Sequence, residues 1–273
     1  MTEQCTASVP ATDRAFLYGD GLFETLLVVG GTPLWPELHL DRLKLGGERL
    51  GIEVCIADIQ TAIVEALGNC VGNAGVLRIT VSRRGGRRGY APTKNAGVNI
   101  STMYSELGRE PFQVAQAATV LTSSIRMGEQ PLLAGLKHCN RLEQVMAAAE
   151  AQEKNVDDVL LRLADGSYQC SSNANVFAIY GGTLLTPDCN RSGVLGTRRR
   201  LILEQLSGQL GLSAEEGTLK AAQLEAADAM FICNTVVGIR EVAQWDEHSF
   251  EPSAVVRELQ RTYKREAQFC CAI

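Results

Sequence analysis

Short apolar runs of strand length recur along this 273-residue chain at irregular intervals, some joined by turns and some by helical stretches. Leu26 to Val29 is followed by Gly30-Gly31, which reads as a hairpin turn. Gly75 to Ser82, Val98 to Met103, Gln113 to Leu121, Val159 to Leu163, Asn175 to Tyr180 and Ala229 to Cys233 read as further strands. Helices are expected after Pro36, over Ile56 to Leu67, after Lys137 and from about Thr197. In the first of these Leu40, Leu43 and Leu50 supply the apolar stripe. After Lys137, the residues Leu142, Val145, Met146 and Ala149 follow at i, i+3, i+4 and i+7. Regular strand–helix alternation would give a doubly wound sheet, so this spacing predicts an α+β fold instead. The polar stretch Glu106 to Pro111 predicts a division into an N-terminal α+β domain over 1–108 and a C-terminal α+β domain over 109–273 that carries Lys137.

Charge and hydropathy exclude several classes. A formal net charge of -5 argues against a nucleic-acid-binding protein, which usually presents a basic face. No apolar run approaches the roughly 20 residues that span a bilayer. Met1 to Pro10 carries an acidic residue and no basic one, unlike a signal peptide, so a cytoplasmic protein is expected. The nine cysteines are scattered, odd in number and without a CxxC pair, which suits small buried side chains in a reducing compartment. His39, His138 and His248 stand far apart, and none has zinc-ligand spacing with a cysteine, so no metal site is expected.

Four segments could carry chemistry. Lys137 follows Leu132-Leu133-Ala134-Gly135-Leu136 and stands just before a helical pattern. Desolvation there would lower the pKa of its amine towards values suited to imine formation. The alternative is a lysine that lays its stem on apolar surface and keeps its ammonium in water. Gly193-Val194-Leu195-Gly196-Thr197-Arg198 is a glycine-flanked turn into a helix, where N–H groups and the helix dipole suit a phosphate; plain capping by Thr197 is the alternative. Cys233-Asn234-Thr235 ends a buried strand with a hydroxyl, a second phosphate ligand or an ordinary turn. Arg83-Arg84-Gly85-Gly86-Arg87-Arg88 places four guanidinium groups in six residues, suited to a carboxylate substrate, to plain solvation, or to RNA, the last weakened by the acidic total and the lack of interleaved aromatics.

Taken together, these segments resemble the fold-type IV pyridoxal phosphate enzymes: branched-chain aminotransferases, D-amino acid aminotransferases and 4-amino-4-deoxychorismate lyases. Asp13-Arg14-Ala15 with Tyr18-Gly19-Asp20-Gly21-Leu22-Phe23-Glu24 is similar to the family's opening motif, and His39-Leu40-Asp41-Arg42-Leu43 to its following helix. Ala134-Gly135-Leu136-Lys137-His138-Cys139-Asn140-Arg141-Leu142-Glu143-Gln144-Val145 is similar to the lyase branch, as is Ser82 to Tyr90. The resemblance runs from Asp13 to about Val242 in the family's order.

It implies a two-domain, D-amino acid aminotransferase-like fold with pyridoxal 5'-phosphate held as a Schiff base on Lys137. Lys137 would then move the substrate's α-proton. Arg42, the turn Leu195-Gly196-Thr197 and Thr235 would hold the phosphate, with Asn175 in the same cofactor set. Arg88 and Tyr90 would contact a carboxylate of a small anionic amino substrate. The lyase branch converts 4-amino-4-deoxychorismate to 4-aminobenzoate and pyruvate in folate biosynthesis; an aminotransferase activity is the alternative. A homodimer is implied as well.

One position departs from the family's pattern. Counting back from Asn175-Val176-Phe177, the place of the family's glutamate is taken by Cys170. That glutamate pairs with the pyridine nitrogen of the cofactor and makes the ring an electron sink. A neutral thiol cannot stabilise the pyridinium in this way, and burial raises a thiol's pKa. Gln169, one residue away, would point to the other face of a strand. A homologue that binds the cofactor with weak turnover is therefore a third reading.

Overall fold

Leu77, Ile79 and Val81 alternate along one strand, and all three are buried, which fixes the inward face of the sheet they belong to. The computed structural model describes residues 3–5, 9–68, 72–85 and 89–272. They fall into two compact units. The first comprises Met1–Gln113, Leu136–Asn140 and Phe269–Ile273; the second comprises Val114–Gly135 and Arg141–Gln268.

In chain order the first unit contains β1 (Glu3–Cys5), α1 (Arg14–Tyr18), β2 (Gly21–Val29), β3 (Thr32–Pro33), α2 (Pro36–Leu50), α3 (Ile56–Gly68), β4 (Ala74–Arg83) and β5 (Val98–Glu106). Its sheet runs β1-β5-β4-β2-β3 and is antiparallel throughout. The β2–β3 turn is Gly30-Gly31, both at positive φ, as the hairpin reading requires. Leu22, Leu26 and Val28 of β2 pack with Leu43 of α2, Ile59 and Ile63 of α3, and Leu77, Ile79 and Val81. Truncating one such leucine to alanine typically costs about 2–5 kcal/mol. The inward face of α2 is Leu38, His39, Leu43, Gly46 and Gly47. Leu40 and Leu50 are only half-buried, because the two glycines let the helix lie close on the side that carries them.

The second unit contains β6 (Ala118–Arg126), α4 (Leu142–Glu153), β7 (Asp158–Arg162), β8 (Tyr168–Ser171), β9 (Asn175–Tyr180), β10 (Thr183–Pro187), α5 (Thr197–Leu201), a π-helical turn (Ile202–Leu206), α6 (Ser207–Gln209), β11 (Ser213–Gly217), α7 (Ala221–Glu225), β12 (Ala229–Asn234), β13 (Gly238–Trp245), β14 (His248–Ser249) and α8 (Ala254–Ala272). The order β11-β10-β9-β12-β13-β6-β7-β8 defines its mixed sheet, with β14 beside β13. The pairs β13–β6, β6–β7 and β10–β11 are parallel.

Two expectations need correction, the bounds of one strand and the buried face of α4. The strand expected over Gln113 to Leu121 begins at Ala118 and runs on to Arg126, its register fixed by parallel partners on both sides. The helix expected after Lys137 runs from Leu142 to Glu153, and the lysine's own segment before it is extended and bonded to β2. That bonding also places Leu136–Asn140 in the first unit rather than with the chain that flanks it. Finally, the apolar stripe of α4 does not face the sheet. Ala147 and Ala151 pack there against Met127, Val159, Leu161 and Leu163, while Leu142, Val145 and Met146 are 77%, 60% and 57% exposed. Small residues let α4 approach closely, and the Glu150 carboxylate anchors it by accepting from Ser123 Oγ at 2.5 Å and from the Ser124 N–H at 3.0 Å.

Candidate active site

In the first unit, Lys137 is set by backbone pairing. Phe23 donates its N–H to the Lys137 carbonyl at 2.9 Å, and Cys139 donates to the Gly21 carbonyl at 2.9 Å. Leu22 and His138 form the antiparallel bridge between them. The amine of Lys137 lies 4.3 Å from the centroid of the Phe23 ring. Gly21 lets β2 lie close to β4 and α1 where the lysine segment pairs with it: a Cβ there would stand 2.9 Å from the Val81 carbonyl oxygen and 3.0 Å from Ala15 Cβ. Beyond the lysine, Asn140 donates through Nδ2 to the Gly19 carbonyl at 3.2 Å and through its N–H to His138 Nδ1 at 3.2 Å.

Glu24 follows Phe23 and points to the other side of β2, towards α2. Its carboxylate accepts from Arg42 Nε at 2.8 Å and from a second Arg42 nitrogen at 2.6 Å, and meets His39 Nδ1 at 2.6 Å. Burial alone would raise its pKa, but the charges and hydrogen bonds of Arg42 and His39 outweigh this and bring it down to about 2. Arg42 is thus held rigidly by a bidentate pair. Sequence reasoning singled out Arg42 and missed Glu24; the only signal was its place in the opening motif, opposite a helix carrying His39 and Arg42 three residues apart.

A second carboxylate cluster fixes the loop that precedes the strand. Asp13 caps α1 by accepting from the Ala15 and Phe16 N–H groups, and also accepts from Ser82 Oγ and Asn99 Nδ2. Burial raises its pKa, and these four bonds more than reverse that, leaving it below the ordinary carboxylate range. Asp20 accepts from Arg14 and Arg83. Arg83 also donates to the Leu50 and Gly51 carbonyls at the end of α2, and Arg84 to the Val98 carbonyl. Two of the four loop arginines therefore serve the fold. Arg87 and Arg88 lie outside the described residues. Tyr90 is 84% exposed, with its carbonyl bonded by Arg14 and its ring edge-on to Tyr18 at 5.3 Å.

The second unit builds a turn suited to an anion. The Gly135 N–H donates to the Gly193 carbonyl and the Leu195 N–H to the Gly135 carbonyl, both at 3.0 Å. Asn175 Nδ2 donates to the Val194 carbonyl at 2.9 Å. The N-cap of α5 is Gly196, with no side-chain cap, and not Thr197, which is the first helical residue. A Cβ on Gly196 would overlap Asn175 Oδ1, so only glycine brings the turn this close. The Thr197 and Thr235 hydroxyls face each other at 3.3 Å. Asn234 Oδ1 accepts from the Val236 and Val237 N–H groups and fixes the turn that carries Thr235. A glycine N-cap with two converging hydroxyls fits a phosphate.

Cys170 lies in the apolar cluster under α4, its sulfur 3.6 Å from that of Met127. Desolvation pushes its thiol up to about 12, so it is neutral across the physiological range. Gln169 points the other way and donates to the Asp188 carbonyl at 2.6 Å. The strand position expected for an acid therefore holds no charge. Among the described residues no cluster of three metal-ligating side chains occurs, and no helix is long and apolar enough to cross a membrane.

The first unit thus carries a lysine docked on a strand and an arginine clamped by a buried glutamate, and the second a glycine-capped turn with paired hydroxyls, features that fit a lysine-anchored, phosphate-bearing cofactor. The chain belongs to the class IV aminotransferase family, whose model matches residues 21–245. It is 31% identical over 238 residues to the aminodeoxychorismate lyase of Vibrio harveyi, covering 86% of each chain. The crystal structure of 4-amino-4-deoxychorismate lyase from Pseudomonas aeruginosa is similar at 34% identity and a TM-score of 0.86, over 97% of this chain and 98% of that one. An aminotransferase from Brucella abortus, bound to the cofactor PLP, shares the fold at 21% identity and a TM-score of 0.83, over 96% of this chain and 94% of that one.

Proposed function

We infer that this chain is a pyridoxal 5'-phosphate-dependent lyase that converts 4-amino-4-deoxychorismate to 4-aminobenzoate and pyruvate. The observation that carries the reading is the docking of Lys137 on β2, in a segment similar to the lyase branch. When bound, the cofactor supplies a carbonyl for amines and a ring that accepts electrons. Nζ of Lys137 would hold the cofactor and, as a free amine, would take the proton from the amine-bearing carbon of the substrate and return it as a general acid. In the first unit Glu24 orients Arg42, which is assigned to the phosphate; in the second, Leu195, Gly196, Thr197 and Thr235, with Asn175 behind them, are assigned to it as well. Arg88 and Tyr90 are assigned to a substrate carboxylate.

The neutral Cys170 favours slow turnover over none, since loss of the substrate's ring proton leads to an aromatic product that drives the reaction forward. The exposed stripe Leu142, Val145 and Met146 supports a homodimer, with a second copy covering it. The seven cysteines whose side chains are described form no disulfide with one another, which fits a reducing compartment such as the cytoplasm. Incubation with 4-amino-4-deoxychorismate and with branched-chain or D-amino acids tests the reading. Formation of 4-aminobenzoate supports it; keto acid alone would make the chain an aminotransferase.

A further inference from the structure

One phenyl ring carries two cations. The Arg78 guanidinium carbon lies 3.8 Å from the Phe23 centroid and the Lys137 amine 4.3 Å from the same point, so those two distances end to end are the most that can separate the charges. Arg78 projects from β4, where it pairs with Thr25 of β2. Among the described residues its guanidinium has no carboxylate partner and no hydrogen bond, and its electrostatic neighbour is the Cys139 thiol. The carboxylates of the adjoining strand are already matched: Asp20 by Arg14 and Arg83, Glu24 by Arg42 and His39. His138 Nδ1 accepts the Asn140 N–H, so that nitrogen carries no proton. Among the described residues Arg78 is therefore a partly desolvated positive charge with no carboxylate partner, resting on the face of Phe23.

We propose that Arg78 is a positioning residue that holds the Lys137 amine in its neutral, nucleophilic form through charge repulsion on the shared Phe23 ring. The phenyl face favours the ammonium, and a guanidinium, which never gives up its proton at physiological pH, opposes it. Two like charges at this spacing in a medium of effective dielectric about 20 shift a titration by about one pH unit after screening. The assignment rests on Lys137 being the cofactor's attachment point. It adds a residue outside the lysine segment and the phosphate turn, and one the sequence reading did not single out.

The experiment compares wild type with Arg78→Met, which keeps an apolar stem on the ring, and Arg78→Lys, which keeps the charge. In the cofactor-loaded protein, the pH midpoint of the bound cofactor's absorbance band is followed. In the cofactor-free protein, the pH dependence of reductive methylation at Lys137 is followed by mass spectrometry of its peptide. Both midpoints should rise by about one unit in Arg78→Met and return towards wild type in Arg78→Lys. A role in folding alone would lower the melting temperature of both variants and leave the midpoints in place, and that outcome overturns the assignment. A wild type that takes up no cofactor would overturn the lysine reading itself, whereas unmoved midpoints in a coloured protein would overturn only the role of Arg78.

Discussion

The backbone N–H of Phe23 donates to the carbonyl of Lys137 at 2.9 Å, while the Phe23 ring sits beneath the Lys137 amine at 4.3 Å. One residue thus sets both the main chain and the side chain of the lysine. Gly21, two positions earlier, is where this arrangement is most easily broken. In Gly21→Ala the new methyl would meet the Val81 carbonyl oxygen and Ala15, so β2 must shift. We expect a loss of about 1–3 kcal/mol in urea denaturation, and a weaker cofactor affinity than that loss alone would give.

Glu24 predicts a pH dependence with a defined sign. Its folded pKa is depressed to about 2 from an ordinary carboxylate value, so its contribution is present above about pH 4.5 and is lost as pH falls towards 2. Removing the carboxylate's charge takes this ion pair from a largely buried Arg42. Glu24→Gln should cost about 3–5 kcal/mol at neutral pH, and its difference from wild type should narrow in acid. A variant as stable as wild type in neutral urea melts would contradict the clamp.

The paired hydroxyls of Thr197 and Thr235 predict selectivity for a phosphorylated cofactor. Thr197→Val and Thr235→Val should each weaken pyridoxal 5'-phosphate binding by about tenfold, as expected for a lost charge-assisted hydrogen bond. Binding of unphosphorylated pyridoxal, measured by the same titration, should not change. Equal losses for both compounds would remove the phosphate from this turn.

Cys170 gives a prediction in which stability and rate move apart. A glutamate placed among Met127, Leu161 and Leu163 should destabilise the cofactor-free protein by a few kcal/mol, because it buries a carboxyl without a partner. If this position faces the cofactor's ring nitrogen, added pyridoxal phosphate should recover more stability in Cys170→Glu than in wild type. Lyase turnover per bound cofactor should then rise. A variant that neither recovers on cofactor addition nor turns over faster would show that the position lies away from the ring.

The outward stripe of α4 predicts the assembly state. Val145→Glu should convert a dimer to a monomer in sedimentation at micromolar concentration while preserving the fold by circular dichroism. A wild type that sediments as a monomer would show that the stripe is simply exposed.

Much of this arrangement was legible in the residues, and the exceptions share a cause. Asn175 to Tyr180 and Ile56 to Leu67 match their elements to within a residue at each end, because their patterns are local and bounded by turn-forming residues. The Leu142, Val145, Met146 and Ala149 periodicity correctly marked a helix but not which face it buries. Packing on the sheet used the smaller Ala147 and Ala151 instead. The extended state of Leu136–Asn140 depends on Gly21 and Phe23, more than a hundred positions away, and no local pattern reports such a pairing. Glu24 was unreadable for the same reason: its role exists only once β2 lies against α2. The reading of Cys170 as a neutral, buried thiol needed only strand alternation and apolar neighbours, and its raised pKa agrees with it.

The absorbance spectrum of the purified protein, before and after Lys137→Ala, tests the central claim most directly. Wild type should be yellow or become so on addition of pyridoxal phosphate, and the band should vanish in Lys137→Ala. A colourless wild type that takes up no added cofactor, or a Lys137→Ala variant that keeps the band, would contradict it.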